Sequence, residues 1–457
     1  MEQAAPADVF DPPVQRARMI GYASGNFGKN VLASTMDVFL LFVLTERWGV
    51  SPAAAGLVVM IGLVWDGLCD PLLGRLVDRS ADRLGLYRRL LFVGAPLVGV
   101  FFTLFFLDPG WRGPAILAWA TVMVLLFRTA YSVCDVAHNA LMMRMTRAPG
   151  AATTLSGLRY MFSCLSALTV AHFARAFVDP AADRGGYGLL AVTGGAALAY
   201  VATLWLSAAA APRSVVAPAA SAPRAPLAWV LGNRPLLLLL ALGFVQALTL
   251  PFFARSFAYI GKGIFHDPGW TGKALTMLAL SQLVALPGWM WVARRFEQGH
   301  VLGLALATTA AGLTLFATGS AAMIAGIAVF GVGNAGLQMM LWAALANAID
   351  HGERDTGTRF EGLPVALLLL TLKTGGGLSG ALLGHGLSLT GWNATARLTP
   401  NQGDQLMTLA WSVPLGGALS CLALLVCLRR RHSSDGFTAR SSWFPRSSCP
   451  RSPGNAP

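Results

Sequence analysis

Asp66 and Asp70 stand four residues apart in Val64-Trp-Asp-Gly-Leu-Cys-Asp-Pro71, inside a stretch that is otherwise apolar from Ala53 to Leu73. An ionised side chain at bilayer depth costs roughly 2.5–3.5 kcal/mol on insertion scales, so acids in such a place mark an ion path or a coupling site. At i, i+4 the two carboxylates lie one turn apart on one helix face. Hard cations such as sodium take oxygen ligands, and a hydroxyl from another span would complete the set. Ser132, in Tyr131-Ser-Val-Cys-Asp-Val136, is the candidate. Protons could use the same acids. The competing reading makes Asp66 and Asp70 helix-end residues paired with Arg75 or Arg79.

A second constellation joins Asp135, Arg159 and Lys373, on the fourth, fifth and eleventh expected spans. Charges isolated in hydrocarbon are costly, so these three should face a shared polar cavity and balance one another. An Asp, an Arg and a Lys converging there could hydrogen-bond several hydroxyls of a polar ligand. The competing reading is a purely structural ion pair. His138 and His172 read as helix-contact residues in preference to proton relays. Arg128 and Arg255 balance nearby acids or lie close to an interface, and no role is assigned to them. Asp37 falls seven residues after Asn30, on nearly the same helix face.

Spans must position these groups. The chain has 457 residues, 55% hydrophobic and 12% charged, against about 25% charged in soluble domains. It reads as an all-α integral membrane protein with about twelve transmembrane helices. They are expected over 20–45, 53–77, 89–107, 114–143, 153–178, 187–211, 235–261, 270–292, 301–320, 322–349, 362–388 and 405–428. The organisation is a tail at 1–19, a six-helix half at 20–211, a linker at 212–234 rich in Ala, Pro and Ser, a second six-helix half at 235–428, and a low-complexity tail at 429–457.

The formal net charge of +13 does not imply nucleic acid, because the basic residues are spread over short connections and form no continuous patch. Alternate connections are rich in Arg, which by the positive-inside rule makes both termini cytoplasmic. No signal peptide is expected ahead of the first span. Cys69, Cys134, Cys164, Cys421 and Cys427 fall within spans as small packing residues, Cys449 lies in the tail, and none has metal or redox spacing. The run Gly375 to Gly377, after Lys373 and Thr374, could let a helix bend during a gating step.

Tyr22-Ala-Ser-Gly-Asn-Phe-Gly-Lys29, Trp65-Asp-Gly-Leu-Cys-Asp-Pro71 with Gly74, and Asp350-His-Gly-Glu-Arg-Asp-Thr-Gly-Thr-Arg-Phe-Glu-Gly362 resemble the signatures of the glycoside-pentoside-hexuronide:cation symporters, a branch of the major facilitator superfamily. The likeness extends over about residues 20 to 430 and includes Gly74-Arg-Leu-Val-Asp-Arg79. It implies the major facilitator fold and a cation site at Asp66, Asp70 and Ser132, the last replacing a Thr. It also implies a sugar site at Asp135, Arg159 and Lys373, and a cytoplasmic gating motif at Gly74, Asp78, Arg79, Asp350, Gly357 and Arg359. Two departures alter the sugar site: a family Asp aligns with Asn30, and a sugar-stacking Trp aligns with Asn139.

The leading reading is therefore a secondary transporter coupling sodium or proton entry to uptake of a polar solute, a glycoside or related sugar. The bacterial cytoplasmic membrane is its expected place. The resemblance implies no cofactor besides the coupling ion, Na+ or H+, and no partner besides the small-molecule substrate and the lipid bilayer, with no nucleic acid and no obligate protein. The alternative keeps the fold and changes the cargo to an amphiphile such as a lysolipid, as in an animal branch with similar paired acids. A membrane enzyme is a remote third, for the spans offer no metal-ligand spacing, no supported Ser–His–Asp ordering and no phosphate-cradling Gly loop.

Overall fold

A computed structural model of the chain describes residues 12–78, 83–145, 151–179, 188–211, 227–319, 322–357, 362–393 and 398–434. Every regular element among them is a helix: α1 (Pro12–Glu46), α2 (Pro52–Asp78), α3 (Arg83–Phe105), α4 (Pro114–Met145), α5 (Ala151–His172), α6 (Ala174–Val178), α7 (Gly188–Ala210), α8 (Leu227–Gly232), α9 (Arg234–Gly263), α10 (Pro268–Arg295), α11 (Gln298–Ala317), α12 (Met323–Thr356), α13 (Gly362–Leu389) and α14 (Pro400–Ser434). Lipid cannot hydrogen-bond a bare backbone, so apolar segments of this length close their amides and carbonyls internally. Pro52, Pro114, Pro268 and Pro400 stand at first helical positions, where the missing amide costs nothing.

Eleven of these helices are long and apolar enough to cross a membrane. The span expected over 153–178 is the departure: it divides into α5 and the short α6, with Phe173 between them. Arg159, Ser163, Ser166 and His172 make α5 more polar than its neighbours, and it is not among the eleven.

The chain forms two compact units. The first comprises Met1–Ser221, Pro251–Ala279 and Gly376–Leu409. Within it α1 packs on α5 and α7, α3 on α4 and α7, and α2 on α4. Phe102, Phe105, Phe106 and Phe127 interlock at its core with ring centroids 4.9–5.7 Å apart, the range favoured by edge and tilted aromatic pairs.

The second unit comprises Ala222–Leu250, Leu280–Gly375 and Ala410–Pro457. There Trp229, Leu236, Leu239, Leu341, Leu345 and Leu368 form a buried cluster, and α11 packs along α12. The division between units falls inside helices, at Pro251 in α9 and between Gly375 and Gly376 in α13, which runs unbroken through its glycines. Val93, Leu198, Val284 and Leu389 point outward, a surface suited to lipid tails and not to water.

Candidate functional site

Asp66 on α2 is a buried carboxylate in the first unit, and α4 supplies its partners. The Ser132 hydroxyl donates to its Oδ1, and Arg128 Nη1 lies 3.4 Å from its Oδ2. The other arm of the same guanidinium reaches Asp37 Oδ1 on α1 at 3.2 Å. Asp66 and Arg128 are almost fully enclosed, with side-chain exposures of 1% and 4%, whereas Asp37 is 46% exposed. Arg255 on α9 adds a second buried guanidinium, donating to the backbone oxygens of Asp37 and Gly376 at 2.8 Å each. Asp70 follows Asp66 by one turn, half-buried, with its Oδ1 shielded from solvent. The expected cluster of Asp66 and Ser132 is thus present, together with an Arg whose role the sequence left unassigned.

A second polar network lies among α1, α4 and α5 of the same unit. Lys29 pairs with Asp135, and its Nζ also lies 3.3 Å from His138 Nδ1 and 3.5 Å from Asn139 Oδ1. Asn139 donates to Asp135 Oδ2 at 3.1 Å and accepts from Arg159 Nη2 at 2.8 Å. Arg159 donates as well to Asn26 Oδ1, through Nε at 3.3 Å and Nη2 at 3.2 Å. Asn26 donates in turn to the Arg159 carbonyl at 3.0 Å and to Ser163 Oγ at 2.6 Å. Asn30 donates to the Asn26 carbonyl at 2.7 Å and to Ser163 Oγ at 3.1 Å.

His138 is held as a contact residue, consistent with its sequence reading. Its ring stacks on Tyr22 with centroids 4.5 Å apart, and the Tyr22 hydroxyl donates to its carbonyl. Gly25 makes room for it: a Cβ there would meet His138 Nε2 at 2.7 Å.

Of the residues expected to bind substrate, Asn30, Asp135, Asn139 and Arg159 therefore share one network, in which Asn139 bridges Asp135 to Arg159. Lys373 sits half-buried on α13 in the second unit. Sequence reading missed Lys29 and Asn26. Lys29 carries the same signal as Asp66 and Arg159, a charge inside an apolar span.

The expected gating motif is described in part. Asp350 lies half-buried on α12, and Gly357 caps that helix in the left-handed region, φ 70° and ψ 2°, its amide donating to the Glu353 carbonyl at 2.8 Å. Glycine suits this conformation because a Cβ would be strained there. Trp229 Nε1 binds Thr356 Oγ1 at 3.1 Å, and Asn233 donates to the Ala348 carbonyl at 2.8 Å, tying α8 and the start of α9 to the end of α12. Gly74 and Asp78 lie near the end of α2, with their side chains outside the described ones, and Arg79 and Arg359 lie outside the described residues.

The sequence pattern of the MFS/sugar transport proteins matches residues 21–431. The chain belongs to that family. It is a transporter of the major facilitator class, not an enzyme, and an integral membrane protein. It is 26% identical over 408 residues to the uncharacterized symporter YnaJ of Bacillus subtilis (strain 168), covering 85% of this chain and 86% of that one. It is 25% identical over 423 residues to the glucuronide carrier protein homolog of Escherichia coli (strain K12), covering 89% and 91%. To the isoprimeverose transporter of Lactiplantibacillus pentosus it is 22% identical over 418 residues, covering 88% and 87%. Solved structures share the fold: the nucleoside transporter NupG at TM-score 0.60 and 11% identity, covering 89% of this chain and 98% of that one. A bacterial homologue of the human drug peptide transporters PepT1 and PepT2 does so at TM-score 0.64 and 13% identity, covering 92% and 99%.

Proposed function

We propose that this chain is a secondary symporter that couples entry of a cation, sodium or proton, to uptake of a polar solute, a glycoside or related sugar, by alternating access. The observation that carries the reading is the placement of two polar constellations on one helix: Ser132 belongs to the acid cluster and Asp135 to the Lys29–Asn139–Arg159 network, three residues apart on α4. An ion at the first and a solute at the second would bias the same element. Coupling of that kind is reciprocal, each ligand raising the affinity of the other.

The relatives support the cargo class through the glucuronide and isoprimeverose named in two of them. Lys29 and Arg159 both reach the network around Asp135, and ammonium and guanidinium donors of this kind suit a sugar bearing a carboxylate. A bacterial cytoplasmic membrane with both termini inside is supported by the Arg-rich connections and by a relative named as an inner membrane symporter of Escherichia coli (strain K12). Lys373 is a further cargo-binding residue in this reading, and Gly74, Asp78, Arg79, Asp350, Gly357 and Arg359 are its cytoplasmic gating motif.

Thermal-shift screening of purified protein against neutral glycosides, glucuronides and lysolipids tests the cargo, because a ligand of the native state raises its apparent stability. A glycoside or glucuronide is expected to raise Tm. Stabilisation by lysolipids alone would overturn the sugar reading.

A further inference from the structure

Arg128 reaches the carboxylate at the centre of the expected cation site. Both oxygens of Asp66 are engaged, Oδ1 by the Ser132 hydroxyl and Oδ2 by Arg128 Nη1 at 3.4 Å, and the whole pair is buried. Asp37 closes the other side of the guanidinium at 3.2 Å. Among the described residues, two further charged groups lie by this pair: Arg255, whose buried guanidinium sits on the Asp37 backbone, and Asp70, one turn along α2.

An oxygen-ligated metal sits about 2.3–2.6 Å from its ligands when it is calcium, and sodium takes the same donor class. A sodium ion on Asp66 would therefore lie within a few ångströms of a second, permanently charged cation, beside a carboxylate and guanidinium that are both almost fully enclosed, where like charges repel strongly. Guanidinium does not deprotonate in proteins and is tethered to the chain. It can neither leave nor be exchanged during a transport cycle.

We propose that Arg128 is a built-in counter-cation that replaces sodium at Asp66, so that this chain binds its cargo without sodium. The inference rests on the reading of Asp66, Asp70 and Ser132 as a symporter's ion site. It assigns Arg128 as the residue that determines ion specificity there. Removing the guanidinium leaves Asp66, Asp70 and Ser132 as an oxygen-only set, the donor chemistry a sodium ion needs.

The test uses the purified full-length protein and sodium itself as the probe. Tm is followed on replacing choline chloride with sodium chloride at fixed pH and ionic strength, in wild type and in Arg128→Gln. Wild type is expected to show no sodium-specific change, and Arg128→Gln a saturable rise of several degrees. A saturable sodium-specific rise in wild type would overturn the proposal, and so would a folded Arg128→Gln that stays silent. Should Arg128→Gln fail to fold, the double variant Asp37→Asn/Arg128→Gln removes one charge of each sign and is expected to give the same sodium response. Gradient-driven uptake in proteoliposomes tests the symport reading separately: uptake that no ion gradient drives defeats that reading whatever sodium does to Tm.

Discussion

Lys29 and Asp135 face each other from α1 and α4 with side-chain exposures of 5% and 20%. Breaking such a pair on one side leaves a buried charge unbalanced, which costs about 3–5 kcal/mol. Asp135→Asn is therefore expected to lower the Tm of the purified protein and weaken cargo binding, and Lys29→Met/Asp135→Asn to recover much of the stability while binding stays weak. Thermal denaturation of the two single variants and the double checks this, since the interaction is the departure from additivity. At this scale the sequence revealed which residues are costly in lipid and not whom they meet. Asp66 and Asp70 stood out because carboxylates interrupt an apolar run. Arg128 stood out equally, yet its partners Asp37 and Asp66 lie on two other helices, and spacing along one helix carries no information about facing residues on another.

The helix ends show where local chemistry acts alone. Asp267 precedes Pro268 at the start of α10, and its Oδ1 accepts the Gly269 amide at 2.8 Å, an N-cap followed by proline at the first helical position. That amide holds the Asp267 carboxyl below the ordinary aspartate range. A lowered pKa means that the cap stabilises the fold fully above the ordinary value, about 3.9, and loses its effect as pH falls through the lowered one. Asp267→Ala is expected to cost about 1 kcal/mol near neutrality. Tm measured against pH should show the gap between variant and wild type closing in acid. The spans themselves were legible because bilayer thickness fixes how long an apolar segment must be. The break at Phe173 was not, since both α5 and α6 are helical and no Pro or Gly marks the change.

The first unit as a whole is assembled from segments far apart in the chain. Glu46 at the end of α1 pairs with Lys262 of α9 and accepts from Trp392 Nε1 at 2.6 Å, while Thr45 and Tyr259 hydroxyls meet at 3.0 Å. With Glu46 at 3% side-chain exposure, Glu46→Gln is expected to lower Tm measurably, through loss of a nearly buried ion-pair partner. Long-range joints of this kind are invisible to periodicity, whereas the two constellations on α4 were half visible through Ser132 and Asp135. The acid cluster is expected to drive concentration of a sugar-type cargo. The direct measurement is uptake by proteoliposomes of radiolabelled neutral glycosides and glucuronides, with and without an imposed cation gradient, in wild type and Asp70→Asn. At least one sugar should accumulate above its external concentration only when the gradient is present, and Asp70→Asn should equilibrate that sugar without concentrating it. Concentrative uptake without a gradient, or undiminished in Asp70→Asn, would contradict the account.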